Sequence, residues 1–229
     1  MTEHIYADEN FAKNYVANGP AQFVPGYFTM HQMAAQLINE HVDDAAHILV
    51  LGAGGGLDLV SLGQYSPGWR FTGVDPSKAM LDEARNTIKA AGMTARANLV
   101  EEYIPDAPSG PFDAATCMLT LHFVGGDDAK LAVLKAIRAR LVEKAPFVLV
   151  DLCLDKTEPD YDFRRRRYAE FAIRSGAHAA DVDRTNDRLK NVLHTVSPER
   201  NESLIRAAGF KGLDLFYAGL SWRGWIASA

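Results

Sequence analysis

The sequence has little cysteine. Cys117 and Cys153 are its only two, each inside an apolar, strand-like run, which argues against a disulfide framework and a cysteine metal site; no metal ligand set is expected. It lacks any run of about 18 apolar residues that could cross a bilayer. Its start, Met1 to Asn10, is polar and acidic where a secretory leader would be basic and then apolar. A cytoplasmic protein with no membrane partner is the expectation. Positive charge is also in short supply: 24 Lys and Arg stand against 29 Asp and Glu, a formal charge of −5 that gives no global attraction to nucleic acid. Internal repeats and low-complexity linkers are absent. The 229 residues, 48% hydrophobic and 23% charged, suit a single domain spanning 1–229.

What is present is an alternation. Apolar runs of strand length, His47 to Leu51, Arg70 to Val74, Ala95 to Val100, Phe112 to Met118 and Pro146 to Leu152, alternate with helix-like segments, the pattern of a parallel sheet with crossover helices. Ser77 can cap a helix bearing Leu81, Ala84, Ile88 and Ala91 and closed by Gly92; Asp127 can cap another bearing Leu131, Leu134, Ile137 and Leu141. Two regions break the rhythm. Residues 1–44 hold a helix pattern with Met30, Met33, Leu37 and Ile38 on one side, behind the segment VPGYF, and read as a helical lid. Residues 157–196 hold two helix-like segments and no strand, too long for a plain connection, and read as a cap inserted after the fifth strand. Ser197 and Pro198 then start a helix ending at Gly209, and two closing runs, Leu213 to Ala218 and Ser221 to Ala227, are spaced for an antiparallel pair.

The glycine burst in HILVLGAGGGLDLVSLG ends the first strand, the place where open α/β sheets bind ligands. No Gly-Lys-Ser/Thr follows, which removes a triphosphate loop. Leu57 stands where the dinucleotide fingerprint needs its third glycine; the spacing that fits is G-x-G-x-G at Gly52, Gly54 and Gly56. A pyrophosphate wants a helix N-terminus packed tightly on its strand, whereas a ligand without phosphates needs only a loop that admits a zwitterionic tail and a ribose. Asp75, about twenty residues on in GVDPS, can accept hydrogen bonds from both ribose hydroxyls of either ligand.

With LGAGGG, GVDPS, NLVEEYI, TCMLTLHFV and the closing strands, residues 46–229 resemble the class I S-adenosylmethionine-dependent methyltransferases. The resemblance implies an α/β, doubly wound, Rossmann-like seven-stranded sheet with an antiparallel last strand, together with the N-terminal lid and the insert after the fifth strand. It implies S-adenosyl-L-methionine as cofactor and S-adenosyl-L-homocysteine as product. Gly52, Ala53, Gly54, Gly56, Asp75, Pro76 and Leu119 would bind the cofactor. Glu102, with Glu101 as its rival, would take the adenine amino group, and Tyr103 would add a backbone N–H or its ring. The family's acid two residues before the first glycine is Val50 here; Asp58 is the residue that can supply the missing charge.

VPGYF, TLHF and KNVLHTVSPERNESLIRAAGF are further similar to the carboxy-S-adenosylmethionine synthases, which build a carboxylated cofactor for tRNA wobble-uridine modification. That narrower resemblance implies a homodimer. By an ungapped count its carboxylate-binding arginine falls on Asn186, with Arg184 and Arg188 half a turn to either side. Methyl transfer to a small-molecule acceptor is therefore the leading expectation, with the synthase reaction as alternative. An NAD-dependent oxidoreductase and a non-catalytic adenosylmethionine-binding regulator stand behind these.

Because a sulfonium brings its own activation, the protein is asked mainly for proximity and sometimes for a base. His122 after the fourth strand is the candidate base, beside the reading of a plain loop histidine, and Tyr27 the residue that closes over the ligand, beside a packing role. His31 is expected on a solvated or packed helix face. In FRRRRYAEF the arginines sweep about 300° of a helix, which puts Arg164 and Arg167 on the side of Tyr168. Those two and Arg188 are the candidates for an acidic acceptor; salt bridges with Asp160 and Glu170 are the competing role, and direct nucleic-acid binding is not expected. Trp222 and Trp225 are expected to pack the closing strand.

Overall fold

A computed structural model describes residues 9–229; the first eight residues of the expected lid lie outside the described residues. The chain runs α1 (Glu9–Phe23), α2 (Tyr27–Asn39), β1 (His47–Leu51), α3 (Leu57–Tyr65), β2 (Arg70–Val74), α4 (Lys78–Ala90), β3 (Ala97–Val100), β4 (Ala114–Met118), α5 (Asp127–Arg138), β5 (Pro146–Leu152), α6 (Tyr161–Arg174), α7 (Ala179–Asn191), α8 (Pro198–Ala207), β6 (Lys211–Gly219) and β7 (Trp222–Ser228).

The strands form one seven-stranded sheet in the order β3-β2-β1-β4-β5-β7-β6. β1 to β5 are parallel, β7 runs antiparallel to β5 over Pro146↔Ser228 to Leu152↔Trp222, and β6 pairs antiparallel with β7. The order turns back between β1 and β4, so the carboxyl ends of β1, β2 and β4 open a crevice at the switch point. β4 and β5 are buried at every position because helices cover both faces. One core gathers Met30 and Ile38 of α2, Leu59 and Leu62 of α3 and Leu81 and Ile88 of α4. The other gathers Leu134 and Ile137 of α5 and Leu204 and Ile205 of α8. β6 is an exposed edge strand broken by two register shifts, at Lys211/Asp214 and Leu215/Tyr217, which blunt it against stray pairing.

Local signals act as expected at Ser77 and Ser197, whose hydroxyls accept from Met80 N and Arg200 N, each at 3.2 Å. Asp127 does not cap: Gly126 holds that place, and Asp127 pairs with Arg200 at 2.6 Å across to α8. The third and fourth strands begin two residues later than their apolar runs suggest. Arg96 turns its guanidinium back to the carbonyls of Gly63, Ser66 and Trp69, and Phe112 makes only an isolated bridge to Leu141. On α2, Met30 and Ile38 are buried, but Met33 and Leu37 only half-buried; the inward stripe is completed by Tyr27, His31, Ala34 and Ala35. Between β5 and α8 stand two helices and no strand. α1 packs on α4 and α6, and its end is tied down by Trp222 Nε1 donating to Phe23 O at 3.2 Å and Gln22 Nε2 donating to Gly176 O at 3.1 Å.

Candidate active site

At the end of β1 the chain turns back on β2, with Gly52 N donating to Val74 O at 2.8 Å. Gly52 has φ 77°, and a Cβ there would lie 1.9 Å from Thr120 Oγ1, so only hydrogen fits between the β1 and β4 turns. Gly56, at φ 81°, starts α3 with its Cα face against Ala84 of α4; a Cβ would approach the Ala84 backbone to 3.1 Å. The alternate glycines thus serve the left-handed turn and the seating of α3.

This loop forms one wall of a cleft of about 300 Å³ lined by Tyr15, Tyr27, Gly52 to Gly55, Leu57, Asp58 and Met118 to Thr120. Of the expected cofactor residues, Gly52, Ala53, Gly54, Asp58 and Leu119 line it, and Tyr27 lines it from α2. Leu119 is held at φ 56°, in the left-handed region, where β4 ends. Tyr15 of α1 also lines the cleft, and neighbouring Val16 rests on the loop so tightly that a Cβ on Gly55 would lie 2.1 Å from its methyl.

Asp75 follows β2 outside the cleft lining and is bonded to the lining residue Gly54. Its Oδ2 accepts from Gly54 N and its Oδ1 from Ser77 N, both at 2.9 Å. Burial pushes its pKa up while the two backbone bonds pull it down, and the net direction is upward. Each oxygen keeps a second lone pair, so bracing the loop does not exhaust its capacity to accept from a ribose. Pro76 and Glu102 are exposed and Tyr103 is half out in solvent; they follow β2 and β3, which pair at Val74↔Val100, and none of the three lines the cleft.

Asp58 is buried, and its Oδ1 lies 2.6 Å from His31 Nε2; His31 Nδ1 lies 2.9 Å from Tyr27 O. Burial opposes the His31 charge, but the Asp58 carboxylate and the bonds to Asp58 and Tyr27 outweigh it and raise the His31 pKa. Burial first, and the Asp58 charge second, keep the Tyr27 phenol protonated. The interior position of His31 resolves its alternative faces in favour of packing. A histidine four residues after an inward tyrosine was the available signal, and nothing local showed that its partner would be Asp58.

His122 sits in a short turn, Leu121–Phe123, after β4; its ring is buried and outside the cleft lining. Its Nδ1 is 2.6 Å from Asp151 Oδ1, which also accepts from the His122 backbone N at 3.0 Å, while Asn201 Nδ2 donates to Asp151 Oδ2 at 3.0 Å. Fully buried Lys130 donates to Leu121 O at 2.6 Å. A wholly buried carboxylate needs such donors, and it drew the imidazole inward to the β4–β5 seam.

Arg164 pairs with Asp160 at 2.7 Å, and Arg167 lies 4.6 Å over the Phe163 ring, out in solvent. The one that turns between α6 and α7 is Arg165, which donates to Asn186 Oδ1 at 3.2 Å. Arg188 is half-buried, and neither it nor Arg164 or Arg167 reaches the cleft lining. Among the described residues no group of three or more His, Cys, Asp or Glu could hold a metal, and no helix is long and apolar enough to cross a membrane.

The sheet order, the glycine turn and the Asp75 carboxylate define a class I methyltransferase fold. Residues 49–147 match a family model described as a methyltransferase domain. Two curated relatives, both carboxy-S-adenosyl-L-methionine synthases, come from Methylococcus capsulatus, 29% identical over 89% of this chain and 85% of the relative, and Dichelobacter nodosus, 24% identical over 89% and 84%. A solved structure assigned as a candidate O-methyltransferase from Nostoc punctiforme superposes with a TM-score of 0.67 at 18% identity, over 96% of this chain; this chain spans 60% of that one. A candidate S-adenosylmethionine-dependent methyltransferase from Methanococcus maripaludis gives 0.65 at 19%, covering 96% of this chain and 93% of that one.

Proposed function

We propose that this chain transfers a methyl group from S-adenosylmethionine to a small-molecule acceptor and releases S-adenosylhomocysteine. The observation that carries this is the Gly52–Gly56 turn braced by Asp75 at the switch point, opening into a cleft that ends at the Met118–Thr120 turn. The backbone cradle fits a ligand without phosphates: Gly54 N is already engaged by Asp75, and Leu57 with Gly56 starts α3 without presenting a dinucleotide fingerprint.

In this reading the Asp75 lone pairs receive the ribose hydroxyls, and Pro76, Glu102 and Tyr103 flank the adenine beyond the cleft. Asp58 faces the amino-acid end in place of the acid that Val50 lacks. The bound sulfonium supplies the activated methyl group; the protein's part is alignment and exclusion of water. Tyr27 and Tyr15 cover the reacting end from α2 and α1, and Leu119 and Thr120 set the floor. Tyr27, held protonated, serves as a donor and orienting group rather than a base. We read residues 1–44 as lid and 157–196 as cap, with Arg164, Arg167 and Arg188 at the cap rather than in the cofactor cleft.

Calorimetry with S-adenosylmethionine, S-adenosylhomocysteine and NAD tests the assignment: micromolar binding of the first two and none of NAD is expected, and NAD binding alone would overturn it. The second reading, carboxy-S-adenosylmethionine synthesis, is favoured by the names of the curated relatives. Against it stands Asn186, bonded to Arg165, at the carboxylate-binding arginine's expected place. A carboxylate mass added to the ligand retained through purification would establish that second activity.

A further inference from the structure

His31 Nδ1 faces the carbonyl of Tyr27, which can only accept, so that nitrogen carries a proton. His31 Nε2 and Asp58 Oδ1, 2.6 Å apart, can approach so closely only with a second proton between them. The pair therefore holds one shared proton and has no net charge, whether it is written as imidazolium and carboxylate or as imidazole and carboxylic acid. It is sealed from water on the His31 side, which is 1% exposed, and its carboxylate lines the cleft.

Among the described residues, the other groups facing the pair leave the shared proton as the one free to respond near neutral pH. From α2 itself comes Tyr27, its phenol kept protonated by burial and by Asp58; from α1 comes Tyr15, a phenol that ordinarily titrates near about 10. β5 turns only Val148, Val150 and Leu152 to this side of the sheet. The Cys117 thiol, which feels Asp58 through β4, is pushed up by burial and stays protonated.

Resting on the cofactor reading above, we propose that the His31–Asp58 pair is a charge-compensating proton switch that distinguishes the sulfonium cofactor from its thioether product. S-adenosylmethionine carries a sulfonium, an ammonium and a carboxylate, one net positive charge, whereas S-adenosylhomocysteine is a neutral zwitterion. A cation in the cleft repels the shared proton, which leaves for the buffer and turns the pair into a single negative charge facing the ligand. When the methyl group departs and the sulfur becomes neutral, the pair takes a proton back. The cleft thereby follows the charge of its ligand and gives up the extra attraction once product has formed. His31 acts through Asp58 and is a specificity-determining, positioning residue rather than a catalytic one.

The test is calorimetry of the full chain with S-adenosylmethionine and S-adenosylhomocysteine, from pH 6 to 8 and in buffers of different ionisation enthalpy, for wild type, His31→Gln and Asp58→Asn. Comparing wild type with His31→Gln, ligand by ligand, cancels any proton the ligand itself gains or loses. For wild type we expect net proton release with S-adenosylmethionine but not with S-adenosylhomocysteine, and a preference for the cation that grows with pH by up to about tenfold per unit, the limit for one linked proton. His31→Gln should lose that pH dependence while still binding S-adenosylhomocysteine, which also shows that it is folded; Asp58→Asn, which alters the group facing the amino-acid end, should lose the pH dependence and weaken both ligands. Equal proton release with the two ligands, or a pH-dependent preference surviving in His31→Gln, would overturn the switch and leave the cofactor assignment standing. Failure of wild type to bind either ligand would overturn the cofactor assignment itself, and the switch with it.

Discussion

Gly52 shows how far a single residue can carry a function. Its φ of 77° and the 1.9 Å that would separate an added methyl from Thr120 are independent obstacles to any side chain. Gly52→Ala should weaken S-adenosylhomocysteine binding at least tenfold in calorimetry. Adding Thr120→Ala should restore only part of that loss, because the left-handed conformation still costs about 1–2 kcal/mol. Asp75→Asn makes a different prediction. An amide can accept from only one of the Gly54 and Ser77 N–H groups and turns a donor toward the other; a buried donor left unpaired costs about 1–3 kcal/mol, a loss of affinity of about fivefold to about 150-fold on the same measurement. The glycine turn at Gly52 and an acid at the end of β2 were both legible from spacing. The bond of His122 was not: Asp151, the partner that turns it inward, is 29 residues away in the chain.

Among elements, α1 and α2 bring Tyr15 and Tyr27 into the cleft lining. α1 touches the glycine loop through Val16 against Gly55 and is anchored at its far end by bonds to Phe23 O and from Gln22. Val16→Asp should lift the near end while leaving the anchor, accelerating S-adenosylhomocysteine release about fivefold in stopped-flow measurements, for a loss of about 1 kcal/mol. α2 is joined to α3 through His31 and Asp58. Because the folded pKa of His31 lies above its unfolded value near about 6.5, its contribution to stability is complete below that value and is lost as pH rises through the folded one. The melting temperature of unliganded wild type should therefore fall from neutral into mildly alkaline pH, and that of His31→Gln should follow a flatter course. The helices themselves were visible in the 3.6-residue pattern. Which side of α2 was most deeply buried was not, because Met33 and Leu37 compete with His31 for the stripe and only packing on α3 decides it.

For the whole molecule, Asp151 is the joint. It lies on β5, binds the turn after β4 through His122, and binds α8 through Asn201, so it fastens the central strands to the helices of one face. Burial raises its pKa, but His122, Lys130 and Asn201 together prevail, and the net shift is downward. A carboxylate with a depressed folded pKa stabilises the fold above its unfolded value of about 3.9, and that contribution disappears as pH falls through the folded one. Asp151→Leu leaves the donors of His122 and Asn201 buried without a partner and should cost about 3–5 kcal/mol, read as a lower melting temperature at pH 7. The gap between wild type and variant should close as pH falls below about 4, which acid melts would record.

The sequence by itself determined the alternating α/β plan, the strand that ends in the glycine turn, and the acid Asp75, because period, glycine spacing and an acid at a strand end are local properties of the chain. Tertiary structure alone decided which polar side chains meet: Asp58 with His31 across 27 residues, His122 with Asp151 across 29, and Asn201 with Asp151 across 50. A buried charge takes whichever donor the packing of helices on the sheet brings within reach, and that distance is set by the fold rather than by separation along the chain.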